Sequence, residues 1–148
     1  MHKSIIQFIV SIMRLSRKSE YACLALIELS KRYPGNFVKI ETISNTWSIP
    51  RKFLEQILVT MKNAGYLKSR KGAEGGYSLS RSPENITLAE IVRLIDGALA
   101  PVESASTFFY GASPIEQYPP LIKVFKDIRD FVSNKLENIT FLDLINQK

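Results

Sequence analysis

The sequence has very little of the chemistry that catalytic and metal sites use. Among its 148 residues there is one cysteine, Cys23, and one histidine, His2. A single cysteine cannot form an internal disulfide, and no cysteines and histidines have the spacing of a structural zinc site. A serine or cysteine triad needs a histidine base, which His2 near the N-terminus is poorly placed to supply. These absences predict that the chain is not an enzyme, and they favour a reducing cytoplasm as its location.

The sequence also lacks a long hydrophobic run. Its longest apolar stretch, Ile5 to Met13, is interrupted by Gln7 and Ser11 and has about half the length of a membrane-spanning helix. Residues 1–12 resemble the start of a signal peptide, but no small-residue cleavage site follows them. We interpret residues 1–12 as an N-terminal extension, with Met13 as an alternative start. The chain is therefore expected to be soluble and without a membrane partner.

Charge is divided unevenly along the chain. The segment from Arg14 to Arg81 holds 13 Lys/Arg and 5 Asp/Glu, a net charge of +8, whereas residues 82–148 hold 6 and 9, a net charge of −3. A basic region joined to an acidic one fits a nucleic-acid-binding head followed by a body with another task. The alternative is that the positive charge only keeps the protein soluble.

Hydrophobic periodicity and turn signals predict three helices and then a β-hairpin. The helices are expected near 16–31, 40–46 and 50–64, and the strands near 66–70 and 77–80. Ser16 or Ser19 is the expected cap of the first helix, Pro50 the first residue of the third, and Gly65 its stop. The residues expected on the buried side of the third helix are Phe53, Leu54, Ile57, Leu58 and Met61. This order predicts a winged helix-turn-helix over residues 13–82.

Residues 83–148 are predicted to be a helical linker and dimerisation region, so the whole chain is mainly α with one small β-hairpin. A capping box at Thr87–Glu90 opens a helix that ends at Gly97, and a loop over 98–119 precedes a long helix near 120–136. A last short helix is expected to start at Thr140, with Asp143 in the third position of its capping box. The apolar stripe of that long helix is wider than one small domain needs, so we expect it to pair with a second copy. The residues expected to form this dimer contact are Leu121, Val124, Phe125, Ile128, Phe131 and Val132.

The third predicted helix carries residue types that read DNA bases. Arg51 and Lys52 can contact phosphates or guanine edges. Gln56 can form paired hydrogen bonds with adenine, and Glu55 can accept one from a cytosine amino group. The alternative is that these four residues are only the solvated side of an amphipathic helix.

The predicted hairpin favours the DNA-binding interpretation. Its loop contains glycines at 72, 75 and 76, and Arg70 and Lys71 lie beside them. Glycines permit a tight turn with positive φ and a close approach to a minor groove or a phosphate backbone, where the two cations would bind. The loop lacks the Walker pattern and stands between strands, so a nucleotide-binding loop is not expected.

Three segments of the sequence resemble one family of bacterial regulators. The segments are MRLSRKSEYACLALIELS, SIPRKFLEQILVTMKNAGYLKSRKGAEGGYSLSR and ITLAEIVRLIDGALAPVE. The run from LEQ through AG to GGY is the most distinctive part. The sequence is similar to the winged-helix transcriptional regulators of the IscR, NsrR and CymR type (the Rrf-two family) over about residues 13–103, and again at NITFLDLI near its end.

The resemblance implies a homodimer that binds a near-palindromic operator in double-stranded DNA, usually as a repressor. The DNA-facing positions that it implies are Arg14, Ser16 and Lys18 at the first helix, Lys52, Glu55 and Gln56 on the third, and Lys71 and Gly72 in the wing. An adaptor that keeps this fold but acts through protein contacts, with little DNA affinity, is the alternative.

One departure from the family pattern concerns iron. Cluster-binding members carry three cysteines in the loop after the APVE-like segment, whereas here the loop reads VESASTFFYGASPIEQYPP and has none. Thiolates are the usual iron ligands, and Cys23 in the first helix cannot replace three of them. The chain is therefore expected to belong to the clusterless branch, with no cofactor and with an unidentified small molecule or protein as its effector.

Two further features leave alternatives open. Cys23 is expected to pack as a small hydrophobe with a raised pKa, and thiol sensing is the alternative. Core or dimer packing is the expected role of the loop aromatics, with an effector pocket as the alternative. These aromatics are Phe108, Phe109, Tyr110 and Tyr118. Trp47, in the turn before the third helix, is expected in the core.

Overall fold

The structure is a computed structural model that describes residues 15–107 and 109–147. Residues 1–14, Phe108 and Lys148 lie outside the described residues, and so do the predictions made for Arg14, Phe108 and the N-terminal extension. The described elements are α1 (Arg17–Ser30), α2 (Ile40–Trp47), α3 (Arg51–Asn63), β1 (Leu67–Arg70), β2 (Gly76–Leu79), α4 (Leu88–Asp96), α5 (Pro119–Glu137) and α6 (Phe141–Asn146), with short 3₁₀ helices at Pro83–Asn85, Glu103–Ala105 and Pro114–Gln117. The predicted winged helix-turn-helix with a helical body is confirmed.

Helix α1 lies at the centre of the molecule. Ser16, one of the two serines predicted for this position, caps it, because the Ser19 N–H donates to the Ser16 Oγ at 3.1 Å. The helix packs against α2, α3, α4, α6 and β2. Its fully buried Ala25 and Leu26 belong to one apolar cluster that extends to Phe141 in α6. Each large apolar side chain buried in such a cluster stabilises the fold by about 1.5–3 kcal/mol.

The turn between α2 and α3 sets the direction of α3. Ser48 adopts a left-handed conformation with φ 53°, and the Ser44 hydroxyl donates to the Ile49 carbonyl oxygen at 2.6 Å. Pro50 is the N-cap of α3 rather than its first helical residue. Trp47 ends α2 and is only half-buried, with the Lys31 ammonium 5.4 Å from its ring centroid.

The prediction that Phe53 lies on the buried side of α3 is wrong. Its side chain is 46% exposed, whereas Leu54, Ile57 and Leu58 are fully buried. The rings of Phe53 and Tyr21 meet edge to face with centroids 6.2 Å apart at the margin of the core. An amphipathic helix buries only one stripe of its surface, and the stripe of α3 passes beside Phe53.

The hairpin is held near its turn by a third extended segment. β1 and β2 pair from Leu67↔Leu79 to Arg70↔Gly76. Val38, just before α2, pairs with Tyr77 through two backbone hydrogen bonds of 2.8 Å. Gly76 has φ 138°, and a Cβ there would lie 2.3 Å from the Val38 carbonyl oxygen, so this position requires glycine. The wing is thereby attached to the start of α2.

The helices α4 and α6 of the body each begin with a capping box. Thr87 with Glu90 caps α4, and Thr140 with Asp143 caps α6, as the sequence predicted. The Leu88 N–H donates to the Ile139 carbonyl oxygen at 2.8 Å, which joins the two helix starts. Phe141 then enters the same core as α1.

Helix α5 is attached to the body along one side, and several of its contacts are polar. The Arg129 guanidinium donates to the Ala105 carbonyl oxygen at 2.7 Å, and Arg93 donates to Ser133 at 2.9 Å and to Glu137. Ile122 is its one buried residue. Among residues 15–107 and 109–147, no helix has both the length and the hydropathy that crossing a membrane requires.

Candidate nucleic-acid interface

The outer side of α3 presents a polar surface at its N-terminal half. Arg51, Lys52, Glu55 and Gln56 are all exposed, as predicted. Lys52, Glu55 and Gln56, together with Val59, line one shallow depression on this helix. The four buried residues on the opposite side fix the rotation of α3, so these side chains are held outward together.

Arg51 already forms an ion pair within the chain. Its guanidinium lies 2.7 Å from the Glu41 carboxylate in the first turn of α2. Both side chains are well exposed, and such an ion pair contributes about 0–1 kcal/mol, so a DNA phosphate can replace Glu41 at little cost. Among the described residues, Lys52 has no ion-pair partner and is available as it stands.

The backbone geometry of the wing tip favours glycine at two positions. A Cβ on Gly75 would lie 2.2 Å from the Arg70 carbonyl oxygen, and Gly72 has φ 96°. The Arg70 guanidinium donates to the Glu74 carbonyl oxygen at 2.7 Å and lies 4.4 Å from the Phe37 ring centroid. Arg70 therefore stiffens the tip. Lys71 is exposed and makes no ion pair within the part of the chain that the structure describes.

A cleft joins the wing to the start of α3. Its volume is about 520 Å³, and its walls include Lys39, Arg51, Gly72 and Gly75. Two cations and glycine backbone in one cleft suit a strand of phosphates. The side chains of Ile40, Glu41 and Tyr77 also line this cleft. Lys39 was missed by the sequence reasoning. The one sequence signal for it is a lysine directly before a helix, and only the pairing of Val38 with Tyr77 brings it beside the wing.

Ser16 at the start of α1 is tied to the body. Its backbone N–H donates to the Asp96 carboxylate at 3.0 Å, and its hydroxyl donates to the other oxygen of that carboxylate. A phosphate contact at Ser16 therefore requires Asp96 to give up one of these bonds, and the contact stays a prediction. Lys18, in the first turn of α1, is half-buried.

The residues expected in a dimer contact form a strip along α5. Leu121, Val124 and Phe131 are 45%, 52% and 76% exposed. Phe125, Ile128 and Val132 are half-buried. Ile128 and Val132 also form one wall of a groove of about 360 Å³, whose other side includes Leu15 and Leu99. The strip and the groove share Ile128 and Val132, and the groove is also lined by Ser16 and Asp96.

Cys23 packs against the core and is a poor nucleophile. Burial raises its pKa to about 11, and the nearby Asp96 carboxylate adds to the shift. The sulfur is therefore protonated at neutral pH. The groove beside α5 is lined by none of Phe109, Tyr110 and Tyr118, which are exposed in the loop. The described residues contain no group of three or more His, Cys, Asp or Glu placed to hold a metal ion.

The fold and its cationic, glycine-tipped wing define a winged-helix DNA-binding protein, and comparisons with known proteins agree. A family model described as "Rrf2: Iron-dependent Transcriptional regulator" matches residues 15–147. The chain is 32% identical over 132 residues to the HTH-type transcriptional regulator CymR of Bacillus subtilis, which is 89% of each chain. It is 33% identical over 86 residues to the regulator IscR of Cereibacter sphaeroides, which is 57% of this chain and 56% of that one.

Comparison with solved structures indicates the same family. The structure of CymR from B. subtilis matches with a TM-score of 0.71 and 31% identity over 89% of this chain and 95% of that one. The oxidized form of Staphylococcus aureus CymR matches with a TM-score of 0.72 and 27% identity over 92% and 98%. The chain belongs to the Rrf2 family of transcriptional regulators. It is a DNA-binding regulator of a family that is not enzymatic, so the predictions of family, function class and non-enzyme are confirmed.

Proposed function

We propose that this regulator acts in the cytoplasm as a homodimeric repressor that binds a near-palindromic operator. The observation that carries the proposal is the cleft in which Arg51 of α3 and the glycines of the wing tip face each other. A reading helix and a wing that share one cleft can contact adjacent grooves of a single duplex.

In this arrangement each part of the surface has its own task. Glu55 and Gln56 enter the major groove, where their side chains meet base edges. Arg51, Lys39 and Lys71 bind phosphates on either side, and these contacts set the register without reading sequence. Arg51 leaves Glu41 when a phosphate arrives, because the exposed pair between them is weak.

The apolar strip of α5 supports the dimer. A strip of this kind on a charged, globular chain marks a protein contact. Two heads related by a two-fold axis reach major grooves about 34 Å apart, and this symmetry makes the preferred operator near-palindromic. Bound over a promoter, such a dimer blocks access to it, which is how it represses.

We infer that the regulator works without an iron–sulfur cluster, although the matching family model is described as iron-dependent. The loop of residues 102–120 has no cysteine, and Cys23 is a protonated thiol packed against the core. This donor set does not fit a cluster, which requires several thiolates. Iron and sulfide analysis of protein purified without oxygen tests this inference. Stoichiometric iron with sulfide would overturn it.

The proposed function is tested by selection of duplexes from a random library, followed by footprinting of the bound product. We expect a two-fold symmetric motif with protection of two successive major grooves on one side of the duplex. Transcription from a promoter that carries the motif should fall when the protein is added. Equal binding to all sequences, or protection of one half-site by a monomer, would contradict the proposal.

A further inference from the structure

Val59 lies at the centre of the outward side of α3. At about 100° per residue, Val59 is about 20° around the helix from Lys52, about 40° from Glu55 and about 60° from Gln56. The four residues therefore occupy positions i, i+3, i+4 and i+7. Homeodomain recognition helices use the same spacing for the residues that read the major groove.

Burial in the core does not account for a valine at this position, and neither does helix formation. The side chain is 43% exposed and is not part of the core cluster or of the apolar residues packed against it. Valine is also a weaker helix former than alanine, lysine or glutamate. Phe53, the other exposed apolar residue of α3, differs because it contacts Tyr21.

The neighbours of Val59 leave one base feature unread. Lys52, Glu55 and Gln56 offer hydrogen-bond donors and acceptors, which suit guanine, cytosine and adenine. Thymine differs from the other bases by its C5 methyl group in the major groove, and that group is recognised by apolar contact. Among the side chains that line the depression on α3, Val59 alone is apolar.

We propose that Val59 is a specificity-determining residue whose isopropyl group contacts the C5 methyl of one thymine in each operator half-site. This inference rests on the proposed operator binding by α3. It adds a base contact beyond those expected from Glu55 and Gln56.

The test replaces each thymine of the selected duplex in turn with deoxyuridine, which removes only the methyl group. We expect wild-type affinity to fall about fourfold when the contacted thymine is replaced in one half-site, and about fifteenfold when it is replaced in both half-sites. Val59→Ala should lose a similar factor on the thymine duplex. It should bind the thymine and uracil duplexes equally at that position.

The matched control is Phe53→Ala, which removes an exposed apolar side chain from the same helix about 120° away. It should keep the wild-type response to uracil at every position. Thermal unfolding of both variants, followed by circular dichroism, checks that α3 is intact, and Val59→Ile provides a larger apolar variant that should retain thymine preference.

The outcomes separate this inference from the proposed function. Wild-type protein that binds a selected motif but is indifferent to every uracil replacement would overturn the role of Val59 and leave operator binding in place. A Val59→Ala variant that keeps the full uracil response would do the same. Absence of any selected motif would instead overturn the proposed function itself.

Discussion

Helices α3 and α5 are both amphipathic, yet they leave opposite kinds of surface outside. α3 buries four apolar residues, and its outward N-terminal half is mostly charged and polar. α5 buries Ile122 alone and leaves Leu121, Val124 and Phe131 exposed. α3 is held by its own chain through fully buried apolar residues, whereas α5 is held by Ile122, by half-buried apolar residues and by hydrogen bonds of Arg93 and Arg129.

The difference indicates what each helix binds. Water satisfies the exposed charges of α3 until a polyanion replaces it, so this surface suits DNA. Water does not satisfy the apolar strip of α5, so this surface suits another apolar surface. We therefore propose that helices of the same geometry serve two partners, DNA for α3 and a second copy of the chain for α5.

The largest expected effect tests how differently the two helices are held. Leu58→Ala in α3 should lower the free energy of unfolding by about 2–5 kcal/mol, because it leaves a cavity in the core. Phe131→Ala in α5 should change the unfolding free energy of the monomer by less than about 0.5 kcal/mol. Chemical denaturation of dilute protein measures both. Equal losses would show that α5 is part of the core.

The next prediction concerns the dimer. Phe131→Asp should raise the dimer dissociation constant by about 100-fold or more, because it places an unpaired charge in an apolar contact. Val59→Asp, which alters an exposed apolar residue on α3, is the matched control and should leave the mass in solution unchanged. Analytical ultracentrifugation distinguishes them, and a Phe131→Asp variant that stays dimeric would place the contact elsewhere.

A smaller effect, on base preference, is expected from Gln56 in α3. Gln56→Ala should relax preference at one base position per half-site, at a cost of about 1–3 kcal/mol for the preferred base. Binding to a panel of single-base operator variants measures this. Uniform weakening across the whole panel would instead assign Gln56 to phosphate binding.

Lys71 in the wing should contribute to affinity for every sequence and not to base preference. Lys71→Ala should weaken binding to all sequences by a similar factor and should reduce the slope of log affinity against log salt by about 1 per protomer. Titrations at several salt concentrations test this. A changed base preference with an unchanged slope would contradict a phosphate contact.

The last prediction concerns the reactivity of the Cys23 thiol, which lies in α1 near Asp96. With a pKa of about 11, its thiolate fraction at pH 8 is about 100-fold lower than that of a thiol with the ordinary pKa of 9.0, and alkylation should be slower by a similar factor. Because the folded-state pKa is raised, this group favours the fold below pH 9 and that contribution is lost as the pH rises through 11. Rapid alkylation at neutral pH would revive thiol sensing.

Local signals predicted most of the fold. The cap at Ser16, the capping boxes at Thr87 and Thr140, and the positive φ of Gly65 all occur where the sequence placed them. Each depends on residues within a few positions of one another, so the sequence displays the whole interaction. The exposed residues of the reading helix were predicted for the same reason.

The features that the sequence analysis got wrong or did not predict depend on contacts between residues far apart in sequence. Phe53 stands outside the core because the packing of α1 against α3 sets where the buried stripe ends. Ser16 is bound by Asp96, 80 residues away, and Lys39 lies beside the wing because Val38 pairs with Tyr77. No periodicity or motif encodes these contacts, since they exist only once the elements have packed.

The amino-acid order alone determined the elements, the glycine-tipped hairpin, the uneven charge and the missing cysteines, because helix periodicity, turn chemistry and composition act over short distances. Tertiary packing alone decided which side of each helix stays outside, which cations face one cleft, and which polar groups are already engaged. Those outcomes depend on how segments that are distant in sequence pack into one core, because the burial of each side chain there depends on all of these segments.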